Sequence, residues 1–355
     1  MIRPTEMARV FALFCAVGLA VPAVVQGAEA AKSAKSTTKQ VSTARKTTYS
    51  ASSSSARKAR LARARAAVRA RERARLNAVR LTQEAMTPRF KMDASGALVP
   101  DVRAAAAIIF DPQSGQVLWG ENAQATRSIA SITKVMTAVV FLEDQPDLSQ
   151  TITVERGDVY AASTTYLRAN ERLTLDQVLH LTLIASDNAA ARILARLSHG
   201  GTASFVERMN TKAAELGLES TAFTDPSGLR AENVSSAYDL SRLITYAATD
   251  EKLAPIIAPI MRTAEYKVGT SRRTISIHNT NRLVMDGDVE VMGGKTGFIS
   301  KAGHCLATLI RLPQTNQQVA VVVLGANSNV GRFWETRHLF NWLSQKTAAL
   351  FKEQQ

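Results

Sequence analysis

The sequence predicts an α/β (α+β) fold, in which an antiparallel sheet is flanked by helices and an all-α lobe is inserted between its strands. Apolar strand-like runs occur at both ends of the folded region, over residues 104–110, 304–312 and 318–324. Helical periodicity dominates residues 175–248, and another helical pattern over residues 329–350 closes the chain. The order of the elements is therefore strands, helices, strands and a final helix. These elements can all bury their apolar faces if the strands from both ends share one sheet and the middle helices form a lobe against it.

The N-terminal 30 residues have the features of a secretory signal. Arg3 and Arg9 precede an apolar run over residues 10–23, and residues 28–30, Ala-Glu-Ala, fit a cleavage site. The apolar run is too short to span a bilayer. We therefore expect an exported protein with no transmembrane anchor after signal cleavage, and an uncleaved anchor is the alternative.

The net charge of +14 comes entirely from one segment of the chain. Residues 31–80 hold 15 Lys or Arg and one acid, whereas residues 81–355 hold 27 bases and 27 acids. A neutral folded part argues against nucleic acid as a partner. The sequence therefore divides into the signal, a basic low-complexity segment rich in Ala, Ser, Arg and Lys over residues 31–92, and a folded domain over residues 93–355.

Within the basic segment, residues 31–58 have too few apolar side chains to fold and are expected to form a disordered linker. Residues 59–80 are mostly Ala and Arg, which favour helix, but they have no sustained apolar stripe. We expect an exposed basic helix, or a coil that becomes helical on an anionic surface. Adhesion of residues 31–80 to anionic polymers and a purely solubilising tether both fit this composition.

The elements of the folded domain follow from local patterns. Strand-like runs at 104–110 and 116–120 flank turn residues, and residues 150–175 are irregular with a short strand at 152–154. The predicted helices begin with the one that carries Ser131 and continue over residues 175–197 with a break at 185–188, 202–216, 235–248, 253–260 and 329–350. The later predicted strands cover residues 274–277, 289–292, 304–312 and 318–324.

Ser131 and Lys134 are three residues apart, which places them on one helix face. Serine is a weak nucleophile that needs a base within hydrogen-bond reach. Lysine can be that base if burial or a neighbouring cation lowers its pKa. Apolar residues at positions 132, 135, 136 and 139 predict that this helix is largely buried. A capping serine with a solvated lysine is the structural alternative.

Two further short motifs contain candidate residues. Residues 186–188, Ser-Asp-Asn, interrupt an apolar helical pattern, as a helix cap also does. Residues 295–297, Lys-Thr-Gly, follow a strand-like run, and alone they fit a turn equally well. Together with the S-x-x-K motif at Ser131, in this order, they are the set found in class A β-lactamases and penicillin-binding proteins.

Over roughly residues 95–345, the chain resembles the low-molecular-mass penicillin-binding proteins, serine D,D-peptidases (D-alanyl-D-alanine carboxypeptidases and endopeptidases) that trim peptidoglycan. The resemblance includes residues 130–138, residues 237–240, and residues 295–298 followed by Ala-Gly-His-Cys-Leu at 302–306. The last stretch is most similar to the soluble endopeptidase branch, which hydrolyses existing cross-links. The resemblance implies the serine β-lactamase/D,D-peptidase-like fold, with the active site between the sheet and the helical lobe.

The resemblance implies three catalytic residues. Ser131 attacks the carbonyl carbon of the penultimate D-alanine, Lys134 takes the hydroxyl proton, and Ser186 passes that proton to the leaving amine. It also implies that the backbone N–H groups of Ser131 and Phe298 form an oxyanion hole. Asp187 is expected to be structural.

The same resemblance implies a substrate-binding set. Asn188 contacts either the substrate amide or Lys134. Lys295 attracts the substrate carboxylate, and its like charge helps to keep Lys134 neutral. Thr296 hydrogen-bonds that carboxylate, and Gly297 lets the substrate approach the strand closely. Residues 225–229 and 278–283 are implied to be loops that line the cleft.

The partners implied by the resemblance are peptidoglycan peptide stems as substrate and β-lactams as covalent inhibitors. The implied location is the periplasm, soluble or associated with the wall or envelope. The five histidines have no ligand spacing, so we predict no metal and no other cofactor.

Several activities stay open at the level of sequence. A D,D-carboxypeptidase that removes terminal D-alanine shares every catalytic residue. The 58 residues after Gly297 suffice for the rest of the sheet and one helix, which favours the endopeptidase branch over relatives with a C-terminal β-rich domain. A class A β-lactamase would need a glutamate that activates water for deacylation, and no downstream glutamate begins the E-x-x-L-N pattern. A wall-binding scaffold without activity is the non-enzymatic alternative.

Overall fold

A computed structural model describes residues 52–353 of the chain. The predicted signal peptide, the predicted linker up to residue 51 and residues 354–355 lie outside this range. By its contacts the chain divides between Arg63 and Ala64, so the described part of the first unit is residues 52–63, which are helical throughout. The predicted divisions at residues 30 and 92 stay predictions.

The described elements keep the predicted order of strands, helices, strands and a closing helix. The first part contains α1 (Ser52–Met86), β1 (Phe90–Met92), β2 (Leu98–Pro100), β3 (Ala106–Asp111), β4 (Gln116–Glu121) and β5 (Arg127–Ser128). The middle contains a 3-10 turn (Ala130–Ile132), α2 (Thr133–Glu143), β6 (Thr151–Thr153), α3 (Arg156–Val159), β7 (Arg172–Thr174), α4 (Leu175–Leu183), α5 (Asn188–Leu197), α6 (Gly201–Glu215), β8 (Val234–Ser235), α7 (Ala237–Thr249) and α8 (Ala254–Arg262). The last part contains β9 (Glu265–Gly269), β10 (Thr274–His278), α9 (Arg282–Asp286), β11 (Glu290–Ile299), β12 (Gly303–Arg311), β13 (Gln318–Ala326) and α10 (Asn329–Glu353).

Helix α1 confirms the helical prediction for residues 59–80 and extends it in both directions. It begins at Ser52, so the linker prediction is wrong for residues 52–58, where serines precede good helix formers. Arginine and lysine side chains from Arg57 to Arg80 are all exposed. The apolar residues Leu61, Val68 and Leu76 are also at least half exposed.

The main sheet has five antiparallel strands in the order β11-β12-β13-β3-β4. Strands from the two ends of the domain meet where β13 pairs with β3, with Ala320 opposite Phe110. Successive side chains of a strand point to opposite faces. Ile108 accordingly packs with α7 and the helical lobe, whereas Ile109 packs with α10. This arrangement confirms the predicted antiparallel sheet covered by helices.

The helical lobe is built around α2. Every residue from Thr133 to Leu142 is buried, and α2 packs against α4, α5, α6 and α7. The predicted break of the 175–197 helix is present, because α4 ends at Leu183 and α5 begins at Asn188. Lys134 lies on this buried helix and is not solvated, so its amino group needs hydrogen-bond partners inside the protein.

Several small elements escaped sequence prediction. Strand β9 is one of them, since only Val268 among its residues is buried and it has little apolar signal, whereas its partner β10 matches the strand predicted over residues 274–277. The two-residue strands β5 and β8, which pair with each other, were also missed, and so was β7, whose partner β6 overlaps the short strand predicted over residues 152–154. Among residues 52–353, no helix combines the length and apolarity that crossing a bilayer requires.

The β9–β10 hairpin is fastened to the lobe by an ion pair whose carboxylate is buried and whose arginine is partly exposed. Arg273 Nε donates to Glu171 Oε1 at 2.8 Å, and the Glu171 side chain is 1% exposed. The same guanidinium donates to the Tyr166 carbonyl oxygen, which belongs to the loop that precedes β7. The loop after β10 leads to the site described below, so this ion pair supports one wall of the site.

We predict that Arg273→Leu lowers the free energy of unfolding by roughly 3 kcal/mol, because it leaves the Glu171 carboxylate buried without its cation. Thermal or urea unfolding measures the change. The matched control is Arg272→Leu, the neighbouring arginine, which is exposed and is expected to change stability by less than about 0.5 kcal/mol. Equal effects of the two substitutions would contradict the prediction.

Candidate active site

Ser131 lies in the 3-10 turn that leads into α2, at the junction of the sheet and the lobe. Ala130, immediately before it, has a φ of 50°, an unfavourable conformation for a residue other than glycine. Two glycines make room for this turn. A Cβ at Gly297 on β11 would lie 2.6 Å from the Ile129 carbonyl oxygen, and a Cβ at Gly228 would lie 2.0 Å from that of Ala130.

The structure gives Gly297 a role that the sequence interpretation did not include, because the Ser131 turn fills the space that a side chain would take. The close approach of a substrate to this strand stays a prediction. The Cβ position of Gly297 is 3.2 Å from the Ser131 backbone nitrogen. The backbone of β11 and the N–H of Ser131 therefore lie side by side.

Lys134 is fully buried and has three oxygen neighbours. Its Nζ lies 3.0 Å from Ser131 Oγ, 2.6 Å from Asn188 Oδ1 and 2.5 Å from the Ser227 carbonyl oxygen. The amide and carbonyl oxygens only accept hydrogen bonds, and the serine hydroxyl can also donate. A neutral amine that donates its two hydrogens to Asn188 and Ser227 therefore directs its lone pair at the hydroxyl of Ser131.

Burial lowers the pKa of Lys134 from 10.5 to about 7. The negative charges of Asp187 and Asp225 oppose this shift, and the positive charge of Arg192 adds to it. The sequence interpretation gave a share of this shift to repulsion from Lys295. The structure assigns it mainly to desolvation, and the repulsion between the two lysines appears instead in the lowered pKa of Lys295.

Ser186, Asp187 and Asn188 form the connection between α4 and α5. Asp187 caps α5 by accepting from the Ala190 backbone N–H, and it also accepts from the Tyr166 backbone N–H. Its predicted structural role is confirmed. Asn188 donates from Nδ2 to the Ala162 carbonyl oxygen, so its side chain joins that loop to Lys134. Of the two contacts the sequence left open for Asn188, the structure has the one with Lys134.

Ser186 has a φ of 59° and is partly exposed. Within residues 52–353 its hydroxyl has no hydrogen-bond partner, which leaves it free for another molecule. A positive φ is costly for serine and persists where the surrounding structure imposes it. The neighbouring contacts of Asp187 and Asn188 supply that constraint.

Lys295, Thr296 and Gly297 lie within β11 and not in a turn. Lys295 is 1% exposed, and its Nζ donates to the Thr296 carbonyl oxygen at 3.0 Å. Its pKa is lowered well below the usual value, first by burial and then by the charges of Lys134 and Arg332. Thr296 donates to the Thr280 hydroxyl at 2.7 Å. Phe298 is 54% exposed, and its ring stacks on His304.

Three residues of this site were not singled out from the sequence, and two of them were indicated only as members of predicted loops. Ser227 and Thr280 belong to the two loops that the resemblance assigned to the cleft, and the structure brings both to the site. Arg332 of α10 was not predicted. Its buried guanidinium donates to the carbonyl oxygens of Gly297 and Cys305, and so joins α10 to β11 and β12. A single arginine in a helix carries no sequence signal for such a contact.

Comparison with solved structures identifies the class of fold. The chain is similar to the D,D-transpeptidase of Streptomyces K15, with a TM-score of 0.64 and 26% identity over 68% of this chain and 97% of that one. The fold is thus that of the D,D-peptidases and penicillin-binding proteins, which confirms the fold class predicted from sequence.

Residues 93–328 match the peptidase S11 family, described as D-alanyl-D-alanine carboxypeptidase, and the chain belongs to this family. A D-alanyl-D-alanine endopeptidase of Escherichia coli K12 is 33% identical over 70% of this chain and 80% of its own length. The D-alanyl-D-alanine carboxypeptidase DacF of Bacillus subtilis 168 is 29% identical over 71% of this chain and 65% of its own length. The resemblance read from the three motifs is confirmed.

Proposed function

We propose that the chain is a serine D,D-peptidase of peptidoglycan that acts through an acyl-enzyme on Ser131 and hydrolyses D-Ala-linked cross-links as a D,D-endopeptidase. The observation that carries the proposal is the contact of a desolvated Lys134 with Ser131 Oγ at 3.0 Å. Membership of the S11 family supplies the substrate class. A buried amine with a pKa near neutrality is the base that serine acylation requires.

The reaction assigns one role to each side chain. Lys134 accepts the Ser131 hydroxyl proton as Oγ attacks the carbonyl carbon of the D-alanine that precedes the scissile bond. The Ser186 hydroxyl, which has no hydrogen-bond partner among residues 52–353, passes a proton to the leaving amine. Water then hydrolyses the ester, with Lys134 again as base, which restores the serine.

The remaining residues hold the substrate. The backbone N–H groups of Ser131 and Phe298 donate to the oxyanion, and each such donor contributes about 3 kcal/mol to the transition state. Lys295 and Thr296 bind the substrate carboxylate. Asn188 acts through its hydrogen bond with Lys134.

The choice of endopeptidase rests on similarity. The relatives named D-alanyl-D-alanine endopeptidase are 32–33% identical, and the chain covers 78–80% of their lengths. The relatives named carboxypeptidase are 28–31% identical, and the chain covers 62–65% of theirs. D,D-carboxypeptidase activity is the second candidate, because the catalytic residues would be the same. The proposal also includes export of the protein to the periplasm, where peptidoglycan is located, and covalent inhibition of the protein by β-lactams.

The acylation rate is predicted to rise with pH through about 7, because neutral Lys134 is the base and its pKa is about 7. Below that value the rate should fall about tenfold per pH unit, as each unit removes nine tenths of the neutral amine. Stopped-flow labelling with a fluorescent penicillin measures the rate constant.

The controls for this measurement are Ser131→Ala, which should form no adduct, and Lys134→Arg, which should not acylate at any pH because arginine stays charged. A flat profile between pH 5 and 8 would exclude Lys134 as the base.

Purified muropeptides separate the two activities. We expect the mature protein to cleave cross-linked dimers into monomers and to leave the terminal D-alanine of monomeric pentapeptides largely intact. Mass spectrometry of the products distinguishes the two, with Ser131→Ala as the inactive control. Loss of D-alanine from pentapeptides without dimer cleavage would replace the endopeptidase by the carboxypeptidase.

The basic segment is proposed to adhere to anionic polymers of the envelope. All arginines of α1 are exposed, and clustered charge of one sign favours polyanions. Binding to anionic wall polymer should therefore weaken with salt and be lost when residues 31–80 are deleted, while penicillin labelling is retained. Cosedimentation at low and high ionic strength measures this, and unchanged binding after the deletion would leave the segment as a tether.

A further inference from the structure

The loop over residues 225–230 is tied together by one carboxylate. Asp225 Oδ1 accepts from the backbone N–H and hydroxyl of Ser227 and from the backbone N–H of Gly228, at 2.7, 2.5 and 2.9 Å. Asp225 Oδ2 accepts from the Arg230 backbone N–H at 2.9 Å and from Asn233 Nδ2 at 2.6 Å. These five donors saturate the carboxylate, so the course of the loop depends on it.

This loop contacts both members of the proposed catalytic pair. The Ser227 carbonyl oxygen accepts from Lys134 Nζ at 2.5 Å. The next residue, Gly228, has a φ of 79° and lies against the Ala130 carbonyl group, with no room for a Cβ. Ala130 is the residue held at positive φ directly before Ser131. One loop therefore orients the base and supports the strained turn of the nucleophile.

The loop has one further attachment to α2. Thr137 Oγ1 donates to the Pro226 carbonyl oxygen at 2.6 Å. Thr137 lies three residues after Lys134, on the next turn of the same helix. Two successive carbonyl oxygens, those of Pro226 and Ser227, thus contact successive turns of α2.

We propose that Asp225 is a positioning residue for the acylation of Ser131. Its carboxylate holds the loop in the conformation that places the Ser227 carbonyl oxygen on Lys134 and the Gly228 backbone on Ala130. This inference rests on the proposed function of Ser131 and Lys134, and it adds a residue that touches neither the substrate nor the reacting atoms.

The electrostatic effect of Asp225 makes the proposal testable by pH. The charged groups that act on the amine of Lys134 are Asp187 at the start of α5, Arg192 on α5 and Asp225 itself. Lys295 on β11 is coupled to the same amine. The negative charge of Asp225 favours protonated Lys134, and so does the Ser227 carbonyl oxygen that it holds in place. Loss of either contribution lowers the pKa of the lysine.

The experiment measures the rate constant of acylation by a fluorescent penicillin from pH 5 to 9 for the whole chain and for Asp225→Asn. The asparagine lacks the charge and presents an NH₂ group to donors, so the loop should loosen. We expect the plateau rate constant to fall roughly tenfold, because Ser131 is held less well. We also expect the acid limb of the pH profile, the part in which the rate constant rises with pH, to move to lower pH by about half a unit or more.

A role in folding alone would reduce the labelled fraction without moving the pH limb, since a rate constant does not depend on the amount of folded protein. Asp144→Asn is the matched control. Like Asp225, Asp144 accepts from a serine hydroxyl, that of Ser198, and it accepts from the Arg208 guanidinium, but it is not among the charges that act on Lys134. Its limb should coincide with that of the wild type.

A limb and plateau unchanged in folded Asp225→Asn would overturn the proposal. If that variant does not fold, Thr137→Val removes the loop's other attachment with little change of volume, and a plateau equal to that of the wild type would overturn it. A wild-type chain that forms no Ser131 adduct would instead refute the proposed function. The two failures are therefore distinguishable.

Discussion

The site depends on the burial of the Lys134 amine. An ammonium group enclosed by α2, α5 and the 225–230 loop loses its hydration, and the part of the chain that the structure describes offers it two strong acceptors in exchange, the oxygens of Asn188 and Ser227. The third neighbour, the Ser131 hydroxyl, is the only one that can donate to the amine. The same burial that lowers the pKa of the lysine therefore decides which oxygen meets its lone pair.

The fold explains how three distant parts of the chain reach that amine. Asn188 is fixed because α5 must begin there, with Asp187 as its cap. The Ser131 turn is wedged between Gly228 of the loop and Gly297 of β11, so its position depends on the sheet as well as the lobe. Arg332 of α10 holds the carbonyl oxygen of Gly297 from the other side. A change in any of these elements would move the serine relative to its base.

The sequence predicted the parts of this arrangement that side-chain patterns encode. Apolar runs located β3, β12 and β13, and periodicity located α2, α4 and α5, because burial leaves a repeat in the sequence. Contacts made by backbone groups leave no such repeat in the sequence, because all residue types except proline carry the same backbone N–H and carbonyl groups. The Ser227 carbonyl oxygen on Lys134, the packing of Gly297 against the Ser131 turn and the carbonyl contacts of Arg332 became visible only when the chain was folded. The strand β9 was missed for a related reason, since a single buried residue gives no alternation.

The two buried lysines constrain each other. Lys134 and Lys295 approach the same cleft from the lobe and from the sheet, and burial penalises the charged form of both. A substrate carboxylate bound at Lys295 would favour charge there, because an anion near an ammonium group offsets its desolvation. Because the carboxylate would cancel most of that charge, the bound pair would add little to the field at Lys134, and burial would remain the main reason that this amine is neutral. Under the proposed function, the two lysines therefore divide the work: Lys295 pairs with the substrate carboxylate, and Lys134 stays available as the base.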